Sequence, residues 1–128
     1  TSPEEQHTKL ITSIVTVVSL VSSQERLLPY LHAMGIRHTA YGTQEAHYPA
    51  VGENVLAVMK EHLSVEGEWT PELETAWTEA LQTVASVMID AANNPEQYAE
   101  ELELAGYKSN GHKLDGSLPW VLNTPAAA

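Results

Sequence analysis

"MGIRHTAYGTQEAHYPAVGENVLAVM", residues 34–59, decides the fold because one apolar helical pattern gives way to another within it. The first helix is predicted over Gln24–Met34 and is expected to stop at Gly35, since glycine commonly follows the last turn of a helix. The second is predicted from Glu45 to about Leu63, where apolar residues recur at helical spacing. His38 is therefore expected just beyond the end of one helix and shortly before the start of the next.

Two longer helices are predicted outside this stretch. Thr70 as N-cap, followed by Pro71, indicates the start of a helix that ends near Asn93. The segment Pro3–Val21 has apolar residues three and four apart, which predicts a helix with one buried face. Those residues are Leu10, Ile11, Ile14, Val15, Val18 and Leu20. The fold class predicted for this chain is therefore all-α, with about four helices in a core formed by residues 1–94.

The periodicity weakens after residue 94, where glycine, proline and asparagine become frequent. A short helical piece is predicted over Glu96–Leu104. Residues 95–128 are expected to be an irregular C-terminal extension that wraps over the core through Trp120 and Leu122, or else a linker.

Composition excludes several classes of protein. Six Lys and Arg against 17 Asp and Glu give 128 residues a formal net charge of −11, so neither nucleic acid nor an anionic membrane is an expected partner. The chain contains no cysteine, which removes disulfides and thiolate metal sites. No secretory signal is visible, and the expected location is cytoplasmic. Because the first residue is threonine, we expect a processed, trimmed or partial chain.

His38 admits two interpretations from the residues around it. A histidine at a helix end can simply compensate exposed carbonyl groups. Alternatively, it binds a metal, with Met34 and Leu31 on the same helical face as an apolar floor and Tyr48 as the group that orients the ring. With the apolar face of the first helix opposite, the second interpretation describes a flat apolar cofactor whose iron is held by one imidazole.

The same residues resemble the globin family, most of all the flavohaemoglobins, bacterial single-domain haemoglobins and neuroglobins. The resemblance covers Pro3 to about Ala92. Its marks are Leu31, Gly35 and His38 in the order Leu-x-x-x-Gly-x-x-His, then Tyr41-Gly42, then His47-Tyr48-x-x-Val51-Gly52 and Leu56.

The resemblance implies haem b as cofactor and His38 as the proximal ligand of its iron. Counting back 32 residues from His38 (38 − 6 = 32) reaches Gln6, which matches the distal position that faces bound gas. His7 is the alternative distal residue, and Leu10 matches the apolar residue over the iron. The other residues expected to contact the haem are Ile14, Leu31, Met34, Tyr41, Tyr48 and Val51.

The implied function is the binding of O₂ or a related diatomic gas, in transport or sensing. The chain lacks the family's usual N-terminal helices, so a fragment of a larger globin-containing protein is one alternative. A haem-free globin-like module for dimerisation or sensing is another. If haem is bound, we expect the tail, a second copy of the chain in a homodimer or a partner chain to close the pocket.

Catalysis is not indicated by the residues themselves. Nitric oxide dioxygenation would need an electron donor, and no G-x-G-x-x-G motif is present, so a reductase would have to be a separate chain.

The remaining histidines are interpreted as structural or solvated. His32 and His62 are predicted on polar, solvated faces, His47 at the surface and His112 in a loop.

Overall fold

The structure is a computed structural model that describes residues 3–120, apart from the side chain of His7, and the regular structure in this part of the chain is helical. The helices are α1 (Pro3–Leu20), α2 (Gln24–Ala40), α3 (His47–Val65), α4 (Pro71–Asn93) and α5 (Ala99–Leu104), with a 3₁₀ turn at Pro95–Tyr98 before α5. The predicted all-α class is confirmed. None of these helices is long and apolar enough to cross a membrane.

The start of α4 follows the sequence signals. The Thr70 hydroxyl accepts a hydrogen bond from the Leu73 amide at 3.1 Å, which satisfies one of the free N–H groups of the first turn. Pro71 occupies the first helical position, where its missing N–H costs nothing. The predicted start and end of this helix are confirmed.

The predicted end of α2 is wrong, because the helix continues through Gly35 to Ala40. A Cβ atom at Gly35 would lie 2.1 Å from the Met88 carbonyl oxygen and 2.8 Å from the Met88 Cα. Glycine therefore permits the close approach of the α2 and α4 backbones and does not end the helix. As a result, His38 lies within the last turns of α2 and not in the following loop.

The hydrophobic core is centred on α2. Nine consecutive residues of this helix, Pro29–Arg37, are buried, because α1, α4 and the C-terminal segment pack on different sides of it. One apolar cluster joins it to α1 and α4 through Leu20, Tyr30, Leu31, Met34 and Met88. A second cluster joins it to α4 and the C-terminal segment through Ala33, Ile36, Ala91, Leu102 and Tyr107.

The buried face predicted for α1 is largely wrong. Ile11, Val15 and Val18 are exposed, each by more than half of its surface, while the buried residues of this helix are Thr16 and Leu20. The reason is that α1 meets α2 mainly near its C-terminal end. Apolar spacing predicts which side of a helix prefers burial, but not whether another element is there to cover it.

Residues 95–120 pack against α2 and α1. The Tyr30 hydroxyl donates to the Trp120 carbonyl at 2.9 Å, and Leu102 and Tyr107 are buried in the second cluster. Leu122 lies outside the described residues. The division of the chain at residue 94 stays a prediction.

Candidate functional site

A cavity of about 860 Å³ lies among α1, α2, α3 and α4. This volume falls within the range of roughly 300–1,000 Å³ that is typical of small-molecule and cofactor sites. Of the residues that the structure describes, none from 95–120 lines it. Residues 95–120 therefore pack on other surfaces of α2 and are not a wall of this cavity.

The cavity lining is mostly apolar. From α1 it includes Leu10, Ile14, Val17, Val18 and Val21, and from α4 it includes Trp77, Leu81, Val84 and Met88. Four polar rings or hydroxyls gather where α2 ends and α3 begins, namely those of His38, Thr43, His47 and Tyr48. The cavity thus suits a ligand with a large apolar body and polar atoms at one end.

The side chain of His38 is oriented by its own helix. Its Nδ1 lies 2.7 Å from the Met34 carbonyl oxygen, one turn earlier. Since a carbonyl only accepts, Nδ1 carries the proton, and the neutral ring leaves Nε2 as a free lone pair. Because both Met34 and His38 line the cavity, this lone pair belongs to a ring that borders the cavity.

The surroundings also keep His38 uncharged. Burial, the largest influence, lowers the pKa of His38 below its ordinary value of 6.5, and the Arg37 charge lowers it further. The hydrogen bond to Met34 acts in the opposite direction and raises the pKa. A neutral imidazole with one nitrogen fixed by a backbone carbonyl is the form in which histidine binds metals in proteins.

Tyr48 and Tyr41 flank His38 differently from the prediction. The ring of Tyr48 stacks with that of His38, with centroids 6.4 Å apart and planes inclined by 30°. The hydrogen bond that orients His38 goes to Met34, so the predicted orienting role of the Tyr48 hydroxyl is wrong. Burial raises the pKa of Tyr48. Tyr41 is exposed and does not line the cavity.

The residues predicted for the opposite side are only partly brought together. Leu10 and Ile14 line the cavity, as does Val51 of α3. Gln6 is exposed and lies outside the lining, and the side chain of His7 is not described. Leu31 is buried in the first core cluster instead.

His32 and Arg37 were not recognised from the sequence. The predicted solvation of His32 is wrong, because it is 7% exposed. Its Nδ1 donates to Glu101 Oε2 at 2.6 Å, and its ring lies 4.0 Å from that of Tyr98. Arg37 is buried with its Nη1 donating to the Gly111 carbonyl at 2.7 Å. The partners of both lie 69 and 74 residues further along the chain, and no local pattern signals contacts at such a distance.

The other histidines agree with their predicted placement. His62 is exposed on α3, and His112 lies in the loop after α5. His47 is exposed as predicted, but it also lines the cavity. Its Nδ1 accepts a hydrogen bond from the Gln44 amide at 3.0 Å.

Comparison with known proteins shows that the chain is similar to several flavohemoproteins. The flavohemoprotein of Bacillus subtilis is 26% identical over 103 residues, which is 80% of this chain and 25% of that protein. Flavohemoprotein B of Dictyostelium discoideum is 37% identical over 82 residues, 64% of this chain and 18% of that protein. The flavohemoprotein of Rhizobium meliloti is 29% identical over 102 residues, 80% of this chain and 24% of that protein.

The chain thus spans at most about a quarter of the length of these curated relatives. No solved structure matches it significantly. The family model named Globin matches residues 2–88, a range that contains the α1–α4 cavity residues and His38. The chain belongs to the globin family.

Proposed function

We propose that this globin binds haem b in the α1–α4 cavity, with His38 as the protein ligand of the iron, and that it takes up O₂ or a related diatomic gas. The observation that carries the proposal is the hydrogen bond from His38 Nδ1 to the Met34 carbonyl at 2.7 Å. It leaves Nε2 as the lone pair available to a metal at the edge of an apolar cavity.

The residues around the cavity fit haem in three respects. The lining is apolar over most of its surface, as a macrocycle requires for affinity from buried area. Four polar side chains of the lining lie together at the α2–α3 turn, while Ser13 and Thr83 line the cavity elsewhere, so polar atoms of the cofactor would find partners at that turn. The chain has no cysteine, so the thioether attachment of c-type haem is unavailable and a non-covalently held haem b is favoured.

The chain's own residues then have distinct roles. His38 would hold the iron, and the apolar side chains of α1 and α4 would exclude water from the cofactor. The haem supplies the iron coordination position at which a diatomic gas binds. The similarity of the chain to flavohemoproteins supports this assignment.

Gln6 and His7 are the proposed candidates for the distal side. Gln6 lies one turn before the cavity-lining Leu10, about 6 Å along the axis of α1, and is itself exposed outside the lining. In the sequence of α1, His7 precedes the cavity-lining Ile14 by seven residues, about two helical turns.

The two distal candidates predict different spectra. With Gln6 as the distal residue, the ferrous protein is five-coordinate or weakly six-coordinate, because an amide is a poor iron ligand. With His7 on the iron, the spectrum is that of a low-spin bis-histidine complex. A low-spin ferrous spectrum that persists in His7→Ala would remove the His7 assignment.

We propose that another protein surface covers the open side of the cavity. Val18, Val21 and Val51 line the cavity and are nevertheless about half exposed or more. Apolar side chains of this kind mark interaction surfaces. A second copy of the chain or a partner chain would cover them. Sedimentation with and without haem measures the molecular mass and shows whether such an assembly forms.

An absorbance spectrum after reconstitution with haem tests the main proposal. The wild-type chain should show a Soret band typical of histidine-ligated haem, and His38→Ala should lose stable haem retention. His62→Ala, an exposed histidine on α3, is the matched control and should retain it. Equal retention in both variants, or no Soret band in the wild type, would contradict the proposal.

A further inference from the structure

The loop Tyr107–Lys113, here called the Gly111 loop, is closed on itself. Tyr107 and Lys113 form an antiparallel bridge, and the Lys108 amide donates to the His112 carbonyl at 2.7 Å. The Gly111 amide donates to the Lys108 carbonyl at 2.9 Å. These bonds give the loop a defined shape independently of its contacts with α2.

Gly111 is the point where the loop presses on α2. Its φ is +88°, a conformation that side chains other than glycine rarely adopt. A Cβ atom there would also lie 2.3 Å from the Ala33 carbonyl oxygen and 2.7 Å from Arg37 Cγ. Both the backbone conformation and the available space therefore require glycine at this position.

Arg37 completes the contact from the side of α2. It is 3% exposed, and its guanidinium donates to the Gly111 carbonyl at 2.7 Å. Within residues 3–120 no carboxylate forms an ion pair with it. A buried charged donor is costly without a hydrogen-bond acceptor, so the Gly111 carbonyl stabilises the guanidinium, together with the Tyr41 side chain.

The contact encloses the turn that orients His38. Ala33 and Arg37 lie one turn apart on α2, and Met34, whose carbonyl accepts from His38, lies between them in the chain. Arg37 is the residue immediately before His38. The Gly111 loop therefore fixes the backbone of this turn from a face of α2 that does not line the cavity.

We propose that the Gly111 loop is a positioning element for His38, acting through Arg37 and the backbone of Ala33–Arg37. This role rests on the proposed function of His38 as an iron ligand. It goes beyond the family assignment, because the match to the globin family ends at residue 88 and the loop begins at residue 107.

The experiment is resonance Raman spectroscopy of the ferrous haem-loaded full chain, combined with the rate of haem transfer to an apo-globin acceptor. The iron–histidine stretching band reports the geometry of the axial imidazole, which a change in global stability alone does not shift. Gly111→Ala and Arg37→Met are the test variants. We expect a shifted or broadened band in both, and haem loss faster by roughly 10-fold, the lower end of what outer partners of metal ligands contribute.

Each variant has a matched control. Gly116 also has a positive φ, +79°, but a Cβ atom there meets nothing within 4 Å. Gly116→Ala therefore introduces the same kind of backbone strain without a steric clash against α2. Arg26→Met removes an exposed arginine from the same helix. Arg37→Lys keeps a charged donor and should restore the wild-type band in part, while circular dichroism checks that each variant is folded.

The outcomes separate the two assignments. An unmoved band and unchanged haem loss in Gly111→Ala and Arg37→Met, or an equal shift in the two controls, would overturn the positioning role while leaving His38 as ligand. A wild-type chain without histidine-ligated haem would overturn the proposed function and the positioning role together.

Discussion

The two helices on either side of the cavity differ in how firmly the protein holds them. In α2, nine consecutive residues are buried, and the helix is in contact with α1, α4 and the C-terminal segment. Among the described side chains of α1, Thr16 and Leu20 alone are buried, and Val15 is 61% exposed. The wall that carries His38 is therefore fixed by packing, while the opposite wall is fixed mainly at its C-terminal end.

This difference indicates which wall depends on the ligand. The orientation of His38 is set within α2 by the Met34 carbonyl and does not require a filled cavity. The apolar side chains of α1 that face the cavity gain burial only when the cavity is occupied. We therefore expect ligand binding to stabilise α1 more than α2.

The largest effect should come from the crossing of α2 and α4. Gly35→Ala would place a Cβ atom 2.1 Å from the Met88 carbonyl oxygen, and neither backbone can move without separating the two helices. We expect the free energy of unfolding of the haem-free protein to fall by about 4 kcal/mol or more, the range of severe overpacking. Urea unfolding followed by circular dichroism measures it.

Gly52→Ala is the control for this change. Gly52 also lies inside a helix, α3, but a Cβ atom there meets nothing within 4 Å. Alanine should therefore stabilise that helix by about 0.5–1 kcal/mol. A similar loss of stability in both variants would mean that the α2–α4 contact is not as close as described.

The next effect compares two positions of α1. Leu20→Ala removes a fully buried side chain from the first core cluster and should cost about 3 kcal/mol of unfolding free energy. Val15→Ala removes an exposed side chain of the same helix and should change stability by about 0.5 kcal/mol or less. A large cost at Val15 in a dilute, haem-free monomer would show that α1 is covered over its whole length.

A smaller effect is expected where the C-terminal segment meets α2. His32→Ala removes the donor to Glu101 and the ring contact with Tyr98, and should cost about 2 kcal/mol, as for a buried hydrogen bond to a charged group. The double variant with Glu101→Gln should cost less than the sum of the two single changes. Strictly additive costs, measured in the same urea experiment, would mean that the two side chains do not interact.

The smallest predicted effect is a pH dependence of the haem-free protein. Burial lowers the pKa of His38 below 6.5, so the unfolded chain binds this proton more readily than the folded one. The stabilising contribution of the neutral ring is complete above pH 6.5 and declines as the pH falls from there towards the lowered value. An NMR titration that gives His38 a pKa at or above 6.5, with His62 as an exposed reference, would contradict this.

The sequence was sufficient for local features. Thr70 and Pro71 mark the start of α4 because a cap is made within one turn, and His38 could be selected because Met34 lies on its helical face. The prediction for Gly35 was wrong because glycine ends many helices. Its role here, a close helix crossing, depends on the contact with Met88 of α4, which the local sequence does not show.

The features that were missed depend on contacts between distant parts of the chain. His32 was predicted on a solvated face because its partners, Tyr98 and Glu101, lie far along the chain. The burial of Arg37 likewise depends on Gly111, which accepts its hydrogen bond. The exposure of Val15 was missed for the opposite reason, because periodicity cannot show that a partner surface is lacking.

The separation of Arg37 and Gly111 in the chain has a consequence during synthesis. They lie 74 residues apart, and at roughly 5–20 residues per second a ribosome needs about 4–15 s to make that length. During this interval the turn that carries His38 has been made, but the acceptor for the Arg37 guanidinium has not. If the Gly111 loop positions His38 as proposed, the complete arrangement around His38 forms only after translation has passed Gly111.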